Sequence, residues 1–178
     1  MRLENKVALI SGGARGQGAA EVRLFAREGA RVVFGDILDE EGRKVEAEVR
    51  ELGGEAAYVH LDVVSEADWE SAAGTAVARY GKLDILVNNA GVVSWGVLED
   101  TTAQEWDRVM DVNAKGVFLG TRTAIPAMRE AGGYHQHLFH IWNDWSGQYS
   151  AGVQCFQRSR APADQGHCRP VRQRKHPG

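Results

Sequence analysis

Hydrophobic positions in the first 131 residues form two alternating kinds of run. Lys6 to Ile10 is a short continuous apolar run bounded by a glycine cluster, the pattern of a strand buried on both faces. Gly16 to Glu28 instead spaces Ala19, Val22, Leu24, Phe25 and Ala26 at helical intervals and is closed by Gly29. Arg31–Gly35 then predicts a strand, Asp39–Leu52 a helix with Asp39 as N-cap, and Ala56–His60 a third strand. The helix running to Tyr80 begins with Ser65 and Asp68 at capping-box spacing. Ile85–Asn88 predicts a fourth strand and Thr101 with Gln104 caps the next helix. About Asn113 to Met128 is a further, mostly apolar helix that Pro126 bends or ends. Strands separated by such helices are stacked βαβ units. The expected fold is α/β, a doubly wound parallel sheet with helices on both faces.

Composition supports this picture over residues 1–131 and breaks it beyond. With 43% hydrophobic and 25% charged residues, the 178-residue chain has globular composition, which excludes a disordered or collagen-like protein. No apolar run approaches a membrane span, and a net charge of −3 gives no reason to expect nucleic acid or a membrane surface as partner. No signal-peptide pattern is visible, and Cys155 and Cys168 are too few for a disulfide scaffold, so the expected compartment is the reducing cytoplasm. The charge is unevenly divided. Residues 1–131 hold 15 Lys+Arg and 22 Asp+Glu, a net of −7, whereas the last 47 residues hold 6 and 2, a net of +4. That tail has five of the six histidines, both cysteines and three of the four prolines, but one Leu, one Ile and two Val. Such a segment buries little. The expected organisation is therefore one domain over 1–131, truncated after its fourth strand and the following helices, with an aberrant, disordered tail over 132–178.

The first strand-to-helix turn reads Ser11-Gly12-Gly13-Ala14-Arg15-Gly16-Gln17-Gly18. Glycines there permit a tight turn and let a pyrophosphate reach backbone N–H groups at the positive end of a helix. Any βα turn can use glycine for positive φ, so the strand–turn–helix context is what favours the phosphate reading. Asp36 ends the second strand, where a carboxylate can bind both hydroxyls of an adenosine ribose and would repel a 2′-phosphate. NAD is thus favoured over NADP, with Arg15 as the counter-argument. Asn88-Asn89-Ala90-Gly91 closes the fourth strand, at the sheet edge where open parallel sheets bind ligands. Asp62-Val63 after the third strand and Asn113 complete the set.

In this combination and order, residues 1–131 resemble the short-chain dehydrogenase/reductase family, with bacterial hydroxysteroid and related alcohol dehydrogenases nearest. The resemblance implies a Rossmann-type fold and NAD-dependent hydride transfer between a secondary alcohol and its ketone, a steroid being one candidate. It assigns Gly12, Arg15, Gly16, Gln17 and Gly18 to the pyrophosphate, Asp36 to the ribose and Asp62 and Val63 to adenine. Asn89, Ala90 and Gly91 fall nearer the nicotinamide, and Asn113 matches the asparagine of the family's proton relay. Intact members are expected to form homo-oligomers.

The resemblance also requires a Tyr-x-x-x-Lys pair and a serine upstream of it. Tyr58, Tyr80, Tyr134 and Tyr149 are followed at four positions by Asp62, Asp84, Leu138 and Val153, so the pair is absent. Shifting the reading frame by one nucleotide accounts for this. Gly133–Ser146 can then encode VIINISSISGMTG, and the codons from Val153 can encode YSASKGAV, which restores the pair. A frame change near Gly132 or Gly133 is the expected cause, and the chain as written is expected to be inactive. Two other readings stand beside it. One is a non-catalytic dinucleotide-binding remnant. The other is a metal-binding tail using His135, His137, His140, Cys155, His167 and Cys168, although their spacing matches no compact ligand pair.

Overall fold

A computed structural model describes residues 1–94 and 97–130, together with the backbone of two strands at 136–143 and 149–156. The elements run β1 (Val7–Ser11), α1 (Gly16–Arg27), β2 (Arg31–Asp36), α2 (Asp39–Glu51), β3 (Glu55–His60), α3 (Glu66–Tyr80), β4 (Ile85–Asn88), α4 (Ala103–Met110) and α5 (Gly116–Glu130). β1 to β4 form one parallel sheet in the order β3-β2-β1-β4.

Period-two alternation divides the interior into two layers. Val7 and Leu9 of β1, Val33 of β2 and Leu86 of β4 face one way, onto Trp69 and the alanines of α3 and onto Leu119, Ala124 and Met128 of α5. Ala8 and Ile10, Val32 and Phe34, and Ile85 and Val87 face the other, onto α1 and α2. The continuous apolar run at β1 is explained by this burial on both faces. Two small residues let α5 settle on its neighbours. A Cβ at Gly116 would lie 2.9 Å from Val63, and one at Gly120 would lie 2.6 Å from the Trp69 ring.

The predicted four-stranded sheet is present, and the differences from expectation are local. Asp39 is not an N-cap. Leu38 holds that position, and Asp39 is the first residue of α2, its carboxylate engaged by Tyr58 and His60. The α4 cap is Thr102, whose hydroxyl accepts from the Glu105 amide, because Thr101 donates to the Val97 carbonyl. The helix expected from Asn113 begins earlier: α4 runs through a π-turn over Asp111–Lys115 directly into α5, which passes through Pro126 to Glu130. Within the stretch expected to be disordered, β5 (Gln136–Asn143) and β6 (Tyr149–Phe156) pair antiparallel as a separate two-stranded sheet. Both sequences contain β-branched and aromatic residues, which favour extended backbone even in a segment poor in core formers.

Candidate functional site

The carboxyl ends of β1, β2 and β4 and the loop after β3 converge on a cleft of about 340 Å³. Gly12 sits at φ +69° with its Cα against the β4 turn, where a Cβ would meet the Ala90 Cα at 2.8 Å. Gly18 is tighter still. A Cβ there would stand 2.0 Å from the Gly12 carbonyl oxygen, so the first turn of α1 presses on the strand turn with only hydrogen between them.

The N-terminus of α1 is electrostatically open. Its N-cap, Arg15, makes no side-chain capping bond, and no acidic residue stands in the first turn. α2, α3 and α4, which also start from loops, each carry acids in their first turn. Acids there would neutralise the positive end of the helix dipole; their absence from α1 leaves its amide groups available to an anion in the cleft.

Asp36 is held at both oxygens. Oδ2 accepts from the Ala14 amide at 3.1 Å and Oδ1 from the Leu38 amide at 3.2 Å, which fixes the carboxylate plane and leaves each oxygen a further lone pair. Asp62 is fixed through its loop: its amide donates to Asp68 Oδ2, and its Oδ1 accepts from the Val64 amide. The Val63 carbonyl accepts from Trp69 Nε1 at 2.9 Å, tying this loop to the buried indole. Gln17 donates to Glu21 Oε1 at 3.1 Å, and partial burial pushes the Glu21 carboxyl above the usual range despite that bond.

The far wall follows β4. Asn89 Nδ2 donates to the Ser11 and Gly12 carbonyls, both at 3.0 Å. The Ser11 hydroxyl accepts from the Asn89 and Ala90 amides, both at 3.2 Å. Gly91 and Val92 continue this wall, and Asn113 grips Val92 from the π-turn. Its Oδ1 accepts from the Val92 amide at 2.9 Å, and its Nδ2 donates to the Val92 carbonyl at 2.8 Å.

Gly12, Arg15, Gly16, Gln17, Gly18, Asp36, Asp62, Val63, Asn89, Ala90 and Gly91 all line this one cleft. Asn113 is not among the lining residues; it hydrogen-bonds Val92, which is. Sequence reasoning missed Ile37, Leu38, Leu61, Val92 and Val112, which complete the lining. Ile37 had a readable signal, being a large apolar residue in a turn next to Asp36, and it is 61% exposed. Val112 had none, since its place depends on the π-turn. Ser11, the first residue of the glycine loop, joins the ends of β1 and β4 through its hydroxyl, a link that nothing in the loop pattern marks. Among the described residues no cluster of His, Cys, Asp and Glu is arranged to hold a metal ion, and no helix is long and apolar enough to cross a membrane. The side chains of His135, His137, His140, Cys155, His167 and Cys168 lie outside what the structure describes.

A glycine turn under an uncompensated helix end, with an oriented carboxylate closing the next strand, defines a dinucleotide-binding class of fold. The short chain dehydrogenase family matches residues 6–134, and the chain belongs to that family. It is similar to a 3-alpha-(or 20-beta)-hydroxysteroid dehydrogenase of Mycobacterium tuberculosis, with 56% identity over 131 residues, 74% of this chain and 49% of the relative. It is also similar to a cyclopentanol dehydrogenase of Comamonas testosteroni, with 45% identity over 130 residues, 73% of this chain and 52% of the relative. Among solved structures, a short-chain dehydrogenase/reductase from Burkholderia phymatum in complex with NAD superposes at a TM-score of 0.73, with 31% identity over 78% of this chain and 50% of that one. The chain spans about half the length of the curated relatives it matches.

Proposed function

We propose that this chain carries the NAD-binding half of an oxidoreductase for secondary alcohols and ketones, and that as written it binds the cofactor without turnover. The open N-terminus of α1 against a glycine turn is the observation that carries the reading. The backbone around Gly12, Gly16 and Gly18, with Arg15 and Gln17, would hold the pyrophosphate. Asp36 would hold the adenosine ribose, Asp62 and Val63 the adenine, and Asn89, Ala90 and Gly91 the end nearer the nicotinamide. The Asp36 carboxylate favours NAD over NADP because it repels a 2′-phosphate. The neighbour solved with NAD supports the same choice. NAD, when bound, supplies a hydride acceptor.

The names of the relatives, a hydroxysteroid and a cyclopentanol dehydrogenase, support a small secondary alcohol or ketone as substrate class, with steroids included. The absence of a Tyr-x-x-x-Lys pair from this chain supports lack of turnover. Without that pair, no phenol of lowered pKa would stand ready to exchange the substrate proton, and Asn113 would have nothing to relay to. A frame change near Gly132 or Gly133 accounts for the loss, and it is supported by the end of the family match at residue 134. The expected location is the cytoplasm.

Titration of the purified chain with NADH, following cofactor fluorescence and absorbance together, tests the proposal. Saturable enhancement with no NADH oxidation in the presence of a cyclic ketone is expected. No enhancement would defeat the cofactor reading, and steady oxidation would defeat the claim of inactivity. Nucleotide sequence from Ala131 onward tests the frame change: a stop, or no Tyr-x-x-x-Lys in the +1 frame, rules it out.

A further inference from the structure

The end of β2 is braced from behind by a polar trio that no part of the cofactor reading uses. Tyr58 lies on β3, opposite Phe34 in register, and β3 is the edge strand of the parallel sheet. Its ring is packed edge-on to Phe34, with centroids 5.6 Å apart. It fills a notch in α2 that exists because residue 42 is glycine; a Cβ there would lie 2.1 Å from the ring. Phe34 in turn occupies the space that a side chain at Gly13 would need. The glycine turn, Phe34, Tyr58 and α2 therefore form one continuous packed column.

The Tyr58 hydroxyl stands at the end of that column, 2.7 Å from the Asp36 carbonyl oxygen and 2.7 Å from Asp39 Oδ1. A phenol has one proton, so its O–H is shared between these two acceptors. The Asp36 carbonyl also accepts from the Leu61 amide at 3.0 Å. Asp39 Oδ1 is 2.9 Å from His60 Nδ1. The segment from Asp36 to Asp39, which contains Ile37 and Leu38 of the cleft lining, is thus clamped at both ends by one hydroxyl. The phenol is held in its protonated, donating form: burial and the neighbouring Asp39 push its pKa well above the usual range. Asp39 stays ionised, its carboxyl held below the usual range by the bonds from Tyr58 and His60.

We infer that Tyr58 and Asp39 are positioning residues for ribose recognition, setting the backbone from which the Asp36 carboxylate is presented. The inference rests on the cofactor reading above. Tyr58→Phe keeps the ring in its notch and removes only the clamp, so the fold survives while Asp36 gains freedom. NADH should bind about three- to tenfold more weakly, the equivalent of one net hydrogen bond. The ratio of the NADPH to the NADH dissociation constant should narrow by a similar factor, because a loosened carboxylate discriminates less well against a 2′-phosphate. Asp39→Asn, at an exposed position, should move both quantities in the same direction by less, and it carries the test if Tyr58→Phe does not fold.

Fluorescence titrations of the full chain and both variants, with NADH and with NADPH, read these quantities, and thermal melts run alongside. Lower melting temperatures with unchanged NADH affinity and an unchanged ratio make Tyr58 merely structural and overturn the inference alone. Failure of the unmutated chain to bind NADH overturns the cofactor reading and this inference with it.

Discussion

The two walls of the cleft are held in different ways. The wall built by β1, α1 and β2 is braced within neighbouring βαβ units: Asp36 bonds to Ala14 and Leu38, Gly13 donates to Gly35, and Tyr58 clamps Asp36 from the next strand. The wall beyond β4 is tied instead to the end of β1 and to the π-turn that follows α4. The Ser11 hydroxyl reaches 78 and 79 residues to the Asn89 and Ala90 amides, and the Asn113 amide reaches back 21 residues to Val92. On the proposed reading, recognition of an adenosine and its phosphates draws only on residues inside the family match at 6–134. On the same reading, chemistry at the other end is lost, because the chain carries no Tyr-x-x-x-Lys pair.

The sharpest way to break this comparison is at the glycine turn. Gly18→Ala places a methyl 2.0 Å from the Gly12 carbonyl oxygen, which α1 relieves only by moving off the strand turn. An overpacking cost of about 3 kcal/mol is expected, and with it a loss of NADH affinity of about 100-fold. Gly16→Ala meets no atom within 4 Å and bears only the strain of φ +55°, about 1 kcal/mol. Titrations of the two variants side by side decide the point; equal losses would mean that close approach at Gly18 is not what shapes the site.

A smaller effect is expected at the far wall. Asn113→Ala removes both bonds to Val92 and strands that backbone, at a cost of about 1–3 kcal/mol. Amide exchange should quicken at residues 91–93, while affinity for AMP, which on the proposed reading would occupy only the adenosine wall, stays as it was. Loss of AMP binding would show that the two walls are one mechanical unit.

The smallest effect is electrostatic. The bond to Asp39 raises the pKa of His60, aided by the charges of Asp68 and Asp62, while the bonds from Tyr58 and His60 lower that of Asp39, with Arg43 helping from α2. A raised histidine stabilises the fold fully below its unfolded pKa and loses that contribution as pH rises through the folded value. A depressed carboxyl stabilises above its unfolded pKa and loses that contribution as pH falls through the folded value. The pair therefore contributes between the lowered pKa of Asp39 and the raised pKa of His60. Both side chains are more than half exposed, so the effect is slight. His60→Asn should flatten the alkaline limb of the melting-temperature profile, and an unchanged limb would remove His60 from the brace.

Much of this protein was legible in one dimension. Continuous apolar runs marked the strands buried on both faces, and helical spacing with Ser65 and Asp68 marked α3, because burial and capping leave periodic signatures within a few residues. The glycine turn and Asp36 were legible for the same reason: each sits at a strand end whose position the pattern already gave. The brace by Tyr58 and Asp39 was not, since Tyr58 falls inside the strand expected at Ala56–His60 with nothing along the chain to mark its partners, and Asp39 stands where a helix cap is expected. The π-turn also left no mark, because one extra residue in a helical turn barely disturbs hydrophobic spacing.

The sequence by itself determined the order of elements, the anion-binding turn, the acidic strand end and the absence of a Tyr-x-x-x-Lys pair, all of which are properties of neighbouring residues. Only the tertiary structure decided that Ser11 joins the ends of β1 and β4, that Asn113 bonds Val92 and that Tyr58 bonds the Asp36 carbonyl. These are contacts between residues from 21 to 79 positions apart. No local pattern encodes them; they exist because the parallel sheet brings the carboxyl ends of its strands to the same edge.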